Sequence, residues 1–153
     1  MRTDNASFTS IHSYFAWDHA RLDGLLADLD RTIEHGDPRH AERAFGHFER
    51  GMRRHLRIEE EVLFQLYAFD RTGAAKGPTQ TIQSEHARIL LHVDEMGRAL
   101  GAQDVATFRA AYAKLVAILT EHNAKEERVL YPLVDSLLGA IEAERLVTRL
   151  RAG

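Results

Sequence analysis

GMRRHLRIEEEVLFQLY, residues 51–67, is the stretch that decides the fold. It reads as helix. Its inward positions extend a seam that opens upstream with Phe45, Phe48 and Met52, passes through His55 and Glu59, and continues to Val62 and Leu66. The steps alternate between three and four residues, the spacing of a helix face turned into a bundle core. Two members of that face are a histidine and a glutamate. Four residues apart, they lie about 40° apart around a helix and so point the same way. A carboxylate at such a position is costly unless something pairs with it.

The same pattern recurs on either side. A first helix, capped at Thr9 or Ser10 and stopped at Gly36, carries Ile11, Phe15, His19, Leu22, Leu26, Leu29 and Ile33. Asp37-Pro38 opens the second helix as a cap followed by proline in the first turn, and that helix runs to about Phe69. RTGAAKGP, residues 71–78, reads as a loop. A third helix from Pro78 or Thr79 carries Ile82, His86, Ile89, Val93, Met96 and Leu100, and ends at Gly101. Asp104 caps a fourth, with Phe108, Tyr112, Leu115, Leu119, His122, Glu126, Val129 and Leu133. Pro132 places its end or a bend near Leu130 and Tyr131. The tail, residues 135–150, is a shorter helix expected to cross one end of the bundle. No internal repeat is evident beyond the shared seam.

The expected fold is therefore all-α: an up-down-up-down antiparallel four-helix bundle over about residues 10–133, with a short C-terminal helix over about 135–150, as one domain spanning 1–153. A net charge of −3 gives no basic footprint for nucleic acid or an anionic membrane. With no cysteine there is no disulfide, thiolate metal site or cysteine nucleophile. MRTDNASFTS lacks the apolar run of a secretion signal, and no stretch approaches the roughly 18 apolar residues of a membrane span. A cytoplasmic location is expected.

All four seams are interrupted, and only by histidine and glutamate. Counted from the shared end of the helix pairs, the four seam histidines lie about 14 to 18 residues away, or roughly 21 to 27 Å along the bundle. His19, His55, Glu59, His86, His122 and Glu126 thus converge on one slab of core. Four imidazoles and two carboxylates suit a pair of first-row transition ions. Two histidines per ion, with Glu59 and Glu126 bridging and a solvent-derived oxo or hydroxo bridge, would leave each ion an open position. Asp23, one turn after His19, is the candidate acceptor for a ligand's outer nitrogen. His12, His35, His40, His47 and His92 fall off the seam, Glu60 and Glu61 read as a solvated face, and Trp17, Tyr67 and Tyr131 read as packing.

DHARLD around His19, HLRIEEE with His55 and Glu59, EHARIL around His86, and HNAKEERVLYP with His122 and Glu126 form an ordered set that resembles the hemerythrin-like (HHE cation-binding) domains over about residues 10–133. The resemblance implies a non-haem di-iron centre. Members of that family carry or sense oxygen, respond to nitric oxide, help repair iron centres, or act on peroxide. The ferritin-like rivals use Glu-x-x-His, glutamate first, which is not the order here. The oxygen carriers have a further histidine where this chain has Leu90, and an aspartate where it has Glu127. Glu126, on the seam, is the expected ligand instead.

These readings lead to a binding protein for a small diatomic ligand, oxygen or nitric oxide, serving carriage, scavenging or sensing, with a separate protein partner in the last case. The alternatives are redox turnover of peroxide or nitric oxide at the same centre, and iron handling or storage.

Overall fold

A computed structural model describes residues 8–68 and 76–152, and for 67, 68 and 76–78 the backbone alone. Every regular element among the described residues is helical: α1 (Ile11–Glu34), α2 (Pro38–Ile58), α3 (Phe64–Ala68), α4 (Lys76–Gly101), α5 (Val105–Lys125), α6 (Tyr131–Leu138) and α7 (Ala140–Ala152). A π-helical turn, Glu59–Leu63, joins α2 to α3, and a second, Glu126–Leu130, joins α5 to α6. No helix among the described residues is long and apolar enough to cross a membrane.

The helix starts follow from local chemistry. Ser10 accepts from the Ser13 N–H at 3.0 Å, and Ser13 Oγ accepts from the Ser10 N–H, a reciprocal cap. Asp37 caps α2 by accepting from the His40 N–H at 3.1 Å, with Pro38 as its first residue. Asp104 does the same for α5 through Thr107 at 3.0 Å. The first helix of the expectation, the Asp37-Pro38 start and the Asp104 start therefore stand. α4 is helical from Lys76, the first residue described on that side, so the last residues of the expected loop are helix. Residues 71–75 of the expected loop, and the expected end of the second helix at Phe69, lie outside the described residues.

The bundle is made by α1 packing on α2, α4 on α5, α2 on α4 and α1 on α6. At the α1–α2 contact Gly51 is required by space, because a Cβ there would sit 2.9 Å from Leu22 Cδ2. The apolar interior has two parts. One contains Leu22, Phe48, Met52, Ile89, Met96 and Leu115. The other contains Ile11, Phe15, Leu63, Ile82, Tyr131 and Val147. Along α1, α2, α4 and α5 the buried Asp18, His19, His55, His86 and His122 fall between these two parts.

Two expectations need correction. Beyond each glutamate the buried face moves by one residue. Val62 and Leu66 give way to Leu63 and Phe64, and Val129, which is 50% exposed, gives way to Leu130, Tyr131 and Val134. The cause is the π turn, which widens the repeat so that the N–H of Phe64 bonds the carbonyl of Glu59 and that of Tyr131 bonds Glu126, five residues back. Pro132 fits in the first turn of α6, so the chain stays helical to Leu138. The tail is not one helix. Gly139, at φ +76°, breaks it into α6 and α7. The inward face of α7 is Ala143, Leu146 and Val147, while Leu137 and Ile141 are exposed. Asp135 ties this end to the start of α1, accepting from the N–H groups of Ile11 at 2.7 Å and His12 at 3.0 Å.

Candidate metal centre

His19 on α1, His55 on α2, His86 on α4 and His122 on α5 are all buried, together with Glu59 and Glu126 at the first positions of the two π turns. The structure brings all six together. They form two overlapping quartets, His19–His55–Glu59–Glu126 and His86–His122–Glu59–Glu126, and in each one ligand atom per residue lies within 4.8 Å of the others.

The two glutamates divide their oxygens between the quartets. Glu59 Oε1 is 3.4 Å from His55 Nε2, while its Oε2 is 3.2 Å from His86 Nε2. Glu126 Oε2 is 3.2 Å from His19 Nε2, while its Oε1 is 3.1 Å from His122 Nε2 and 3.7 Å from His86 Nε2. Glu59 Oε2, His86 Nε2 and His122 Nε2 are buried without any hydrogen-bond partner despite these short separations. Atoms that crowd together without aligning to share a proton are aimed at a common point, as donors to a cation are. The donor set, imidazole and carboxylate without thiolate, fits first-row divalent and trivalent ions.

Each imidazole is also held from behind. Nδ1 of His19 lies 2.7 Å from Glu127, that of His55 2.9 Å from Asp18, that of His86 2.8 Å from Glu60, and that of His122 3.0 Å from Glu85. An Nδ1–H donating to a carboxylate leaves Nε2 as the inward lone pair, fixing tautomer and ring orientation at once. Asp18 accepts in addition from Arg21 Nε at 2.7 Å, and Glu85 from the Lys125 ammonium.

These contacts reveal a duplication that the sequence reading passed over. Asp18-His19 on α1 corresponds to Glu85-His86 on α4, and His55…Glu59-Glu60 corresponds to His122…Glu126-Glu127. The acid before one histidine serves the other histidine of its half, and the acid after each glutamate serves the opposite half. The correspondence fails at one place. Tyr131 and Phe64 stand at the same offset from Glu126 and Glu59, but Tyr131 brings a hydroxyl and Phe64 does not. The Tyr131 hydroxyl lies 2.8 Å from Glu126 Oε2 and 3.1 Å from His19 Nε2, and it also bonds Glu59 Oε1. Phe64 stacks on the His86 ring at 5.6 Å. The quartets are thus chemically unequal.

Charge is strongly coupled here. Burial lowers the His55 imidazole, but the Glu59 charge and the Asp18 bond overcome it and raise it to about 10. Burial likewise opposes His86, and the nearby Glu126 and Glu59 carboxylates raise it to about 10. His122 is also raised against burial, chiefly by Glu126. Burial would raise Glu126, but the close imidazoles of His122, His19 and His86 hold it well below the ordinary carboxylate range. Glu59 is lowered against both burial and the Glu126 charge, by His55 and His86. Burial and the two glutamates push the Tyr131 phenol well above its usual range, so it stays protonated.

Asp23 is exposed and sits at the rim of a narrow crevice floored by His19, His55 and His122. The acceptor at Nδ1 of His19 is Glu127, not Asp23, because Asp23 lies toward the surface from the ring. Sequence reasoning missed Asp18, Glu60, Glu85, Glu127 and Tyr131. A signal for the first four existed: each is the immediate sequence neighbour of a seam residue. Glu60 was read only as a solvated face, and Tyr131 only as packing. His12, His35, His40 and His47 are exposed, while His92 is buried beside Glu95 at 2.9 Å.

A DNA nickase from Nostoc sp. (strain PCC 7120 / SAG 25.82 / UTEX 2576) is 25% identical to this chain over 146 residues, 94% of this chain and 38% of that protein. This chain therefore spans well under half of that relative. No solved structure matches. The hemerythrin HHE cation-binding domain matches residues 11–134, which takes in all six buried ligand candidates. The chain belongs to the hemerythrin HHE cation-binding domain family.

Proposed function

We propose that this chain is a non-haem di-iron protein that binds oxygen or nitric oxide for carriage, scavenging or sensing. His19 and His55 would hold one ion, His86 and His122 the other, and Glu59 and Glu126 would bridge them. The observation that carries the reading is the division of each glutamate's oxygens between two histidine pairs. Two irons would supply one-electron redox chemistry and an exchangeable position for a small ligand. The protein's own residues orient the imidazoles through Asp18, Glu60, Glu85 and Glu127, and exclude bulk water by burial. Phe64 makes the face beside His86 apolar, which favours a small uncharged ligand on that side.

The up-down-up-down course belongs to the same proposal. It is supported by the order in which the seams visit the two parts of the core: α1 and α4 start in the part with Ile11 and Ile82, whereas α2 and α5 start in the part with Phe48 and Leu115. A single domain with a cytoplasmic location completes the reading.

One observation favours redox turnover of peroxide or nitric oxide as a second reading. The Tyr131 hydroxyl is a buried proton donor within the His19 quartet. Iron handling rests on the same six side chains. The DNA cleavage in the Nostoc protein's name is not carried over, since the match covers 38% of that protein. Stopped-flow mixing of the reduced, iron-loaded protein with oxygen, nitric oxide and peroxide separates the readings. A stable adduct with oxygen or nitric oxide supports binding, repeated turnover supports the enzyme, and no reaction with any of the three removes both.

A further inference from the structure

On the outer side of Asp18, away from the six core residues, α1, α2 and α7 border an open cleft of about 390 Å³. Four arginines line it: Arg21, Arg50, Arg54 and Arg151. Among the described residues its one carboxylate is Asp18. That is a concentrated positive site on a chain whose net charge is −3.

The guanidinium groups are placed, not loose. Arg21 donates from Nε to Asp18 and lies 5.9 Å from the Trp17 ring centre. It rests across Gly51, where a Cβ would come within 3.3 Å of Nη1 and 3.4 Å of Nη2. Arg54 donates to the Leu150 carbonyl at 2.6 Å and to the Tyr14 hydroxyl at 3.3 Å. Arg50 donates to His47 Nδ1 at 3.2 Å, and Arg151 lies over the Phe8 ring at 5.4 Å. A guanidinium carries five N–H donors, so Arg21, Arg50 and Arg54 each retain donors after these bonds. Asp18 cannot neutralise the group, because its other oxygen accepts from His55 at 2.9 Å.

We propose that this cleft is a binding site for a small phosphate-bearing anion. Several forked guanidiniums match the charge and oxygen geometry of phosphate better than those of a single carboxylate. The partly exposed ring of Trp17 in the same lining would carry an attached aromatic group by stacking. The guanidiniums ring one open cleft of about 390 Å³, the size of a single small ligand, and do not run along an extended face as a nucleic-acid strand would need. Asp18 joins Arg21 to His55, so two hydrogen bonds separate a guanidinium of the cleft from the core cluster.

Isothermal titration of the full metal-loaded chain with inorganic phosphate, adenosine monophosphate and a short single-stranded oligonucleotide tests this. The comparison is a double variant, Arg50→Ala with Arg151→Ala, both exposed and remote from the six core residues. Saturable binding of phosphate or the nucleotide to the parent, weakened about tenfold or more in the variant at unchanged metal content, is the expected result. Equal affinity for both small probes identifies free phosphate as sufficient, and a preference for the nucleotide assigns a role to the Trp17 ring. The proposal is overturned by no saturable binding of either small probe at millimolar concentration, by equal binding to parent and variant, or by binding of the oligonucleotide in preference to both.

Discussion

The Tyr131 hydroxyl stands 2.8 Å from Glu126 Oε2, five residues back in the same run of helix. An ordinary α-helical repeat would carry Tyr131 off that face. The π turn brings it over the glutamate and places one phenol where the other half of the site has Phe64.

Tyr131→Phe makes the two halves alike and removes a donor from two buried carboxylates. The metal-free protein should lose about 1–3 kcal/mol of stability, the cost of leaving buried acceptors unsatisfied. Two-ion loading should survive. If the phenol serves as a proton donor, turnover of peroxide or nitric oxide should also fall about a hundredfold. Denaturation with and without chelator, alongside stopped-flow kinetics, reads both effects. Unchanged metal-free stability would count against the hydrogen bonds described here.

Asp18→Asn keeps an acceptor near His55 but removes its charge and its bond strength. Loss of such an outer partner typically weakens a metal site by about 10–100-fold, and a loss in that range is expected in competition with a chelator. His35→Ala, at an exposed position off the seam, should leave metal content unchanged. Equal affinity in Asp18→Asn and the parent would show that the Asp18–His55 contact does not support the ligand.

Acidity should act with opposite sign on the metal-free and loaded forms. His55 and His86 are raised from 6.5 to about 10 in the folded, metal-free chain. A raised imidazole contributes stability that is fully present below its unfolded value and is lost as pH rises through its folded value. The metal-free protein should therefore become less stable between pH 6.5 and about 10. Metal uptake should strengthen over the same window, since ligation needs the rings deprotonated. Thermal midpoints in chelator across that window check the first part. A midpoint that climbs steadily would contradict it.

The seam through His19, His55, Glu59, His86, His122 and Glu126 was legible because a helix repeats its inward face every three to four residues, and a buried charge on that face is conspicuous. Capping at Ser10, Asp37 and Asp104 was legible because short polar side chains satisfy the first free N–H groups of a helix. Tyr131 was not legible, because nothing in EERVLYP announces a π turn and the α repeat points to Val129 instead. Glu60 looked solvated and Glu127 stood off the seam, and each is in part exposed, yet each reaches across to a histidine of the opposite half. Contacts between helices far apart in the chain depend on how the bundle closes, which periodicity along one helix does not encode. Asp23 failed as an acceptor for a related reason: a position one turn from a ligand shares its face but not its depth.

Elemental analysis of the chain made in iron-replete cells, purified gently and reloaded, tests the central claim most directly when run beside Glu59→Ala. The parent should hold two ions per chain, and the variant, lacking one of the two shared carboxylates, should fail to hold the pair. A parent that takes up no ion, or a variant that still loads two, would contradict the assignment of these side chains to a bridged metal pair.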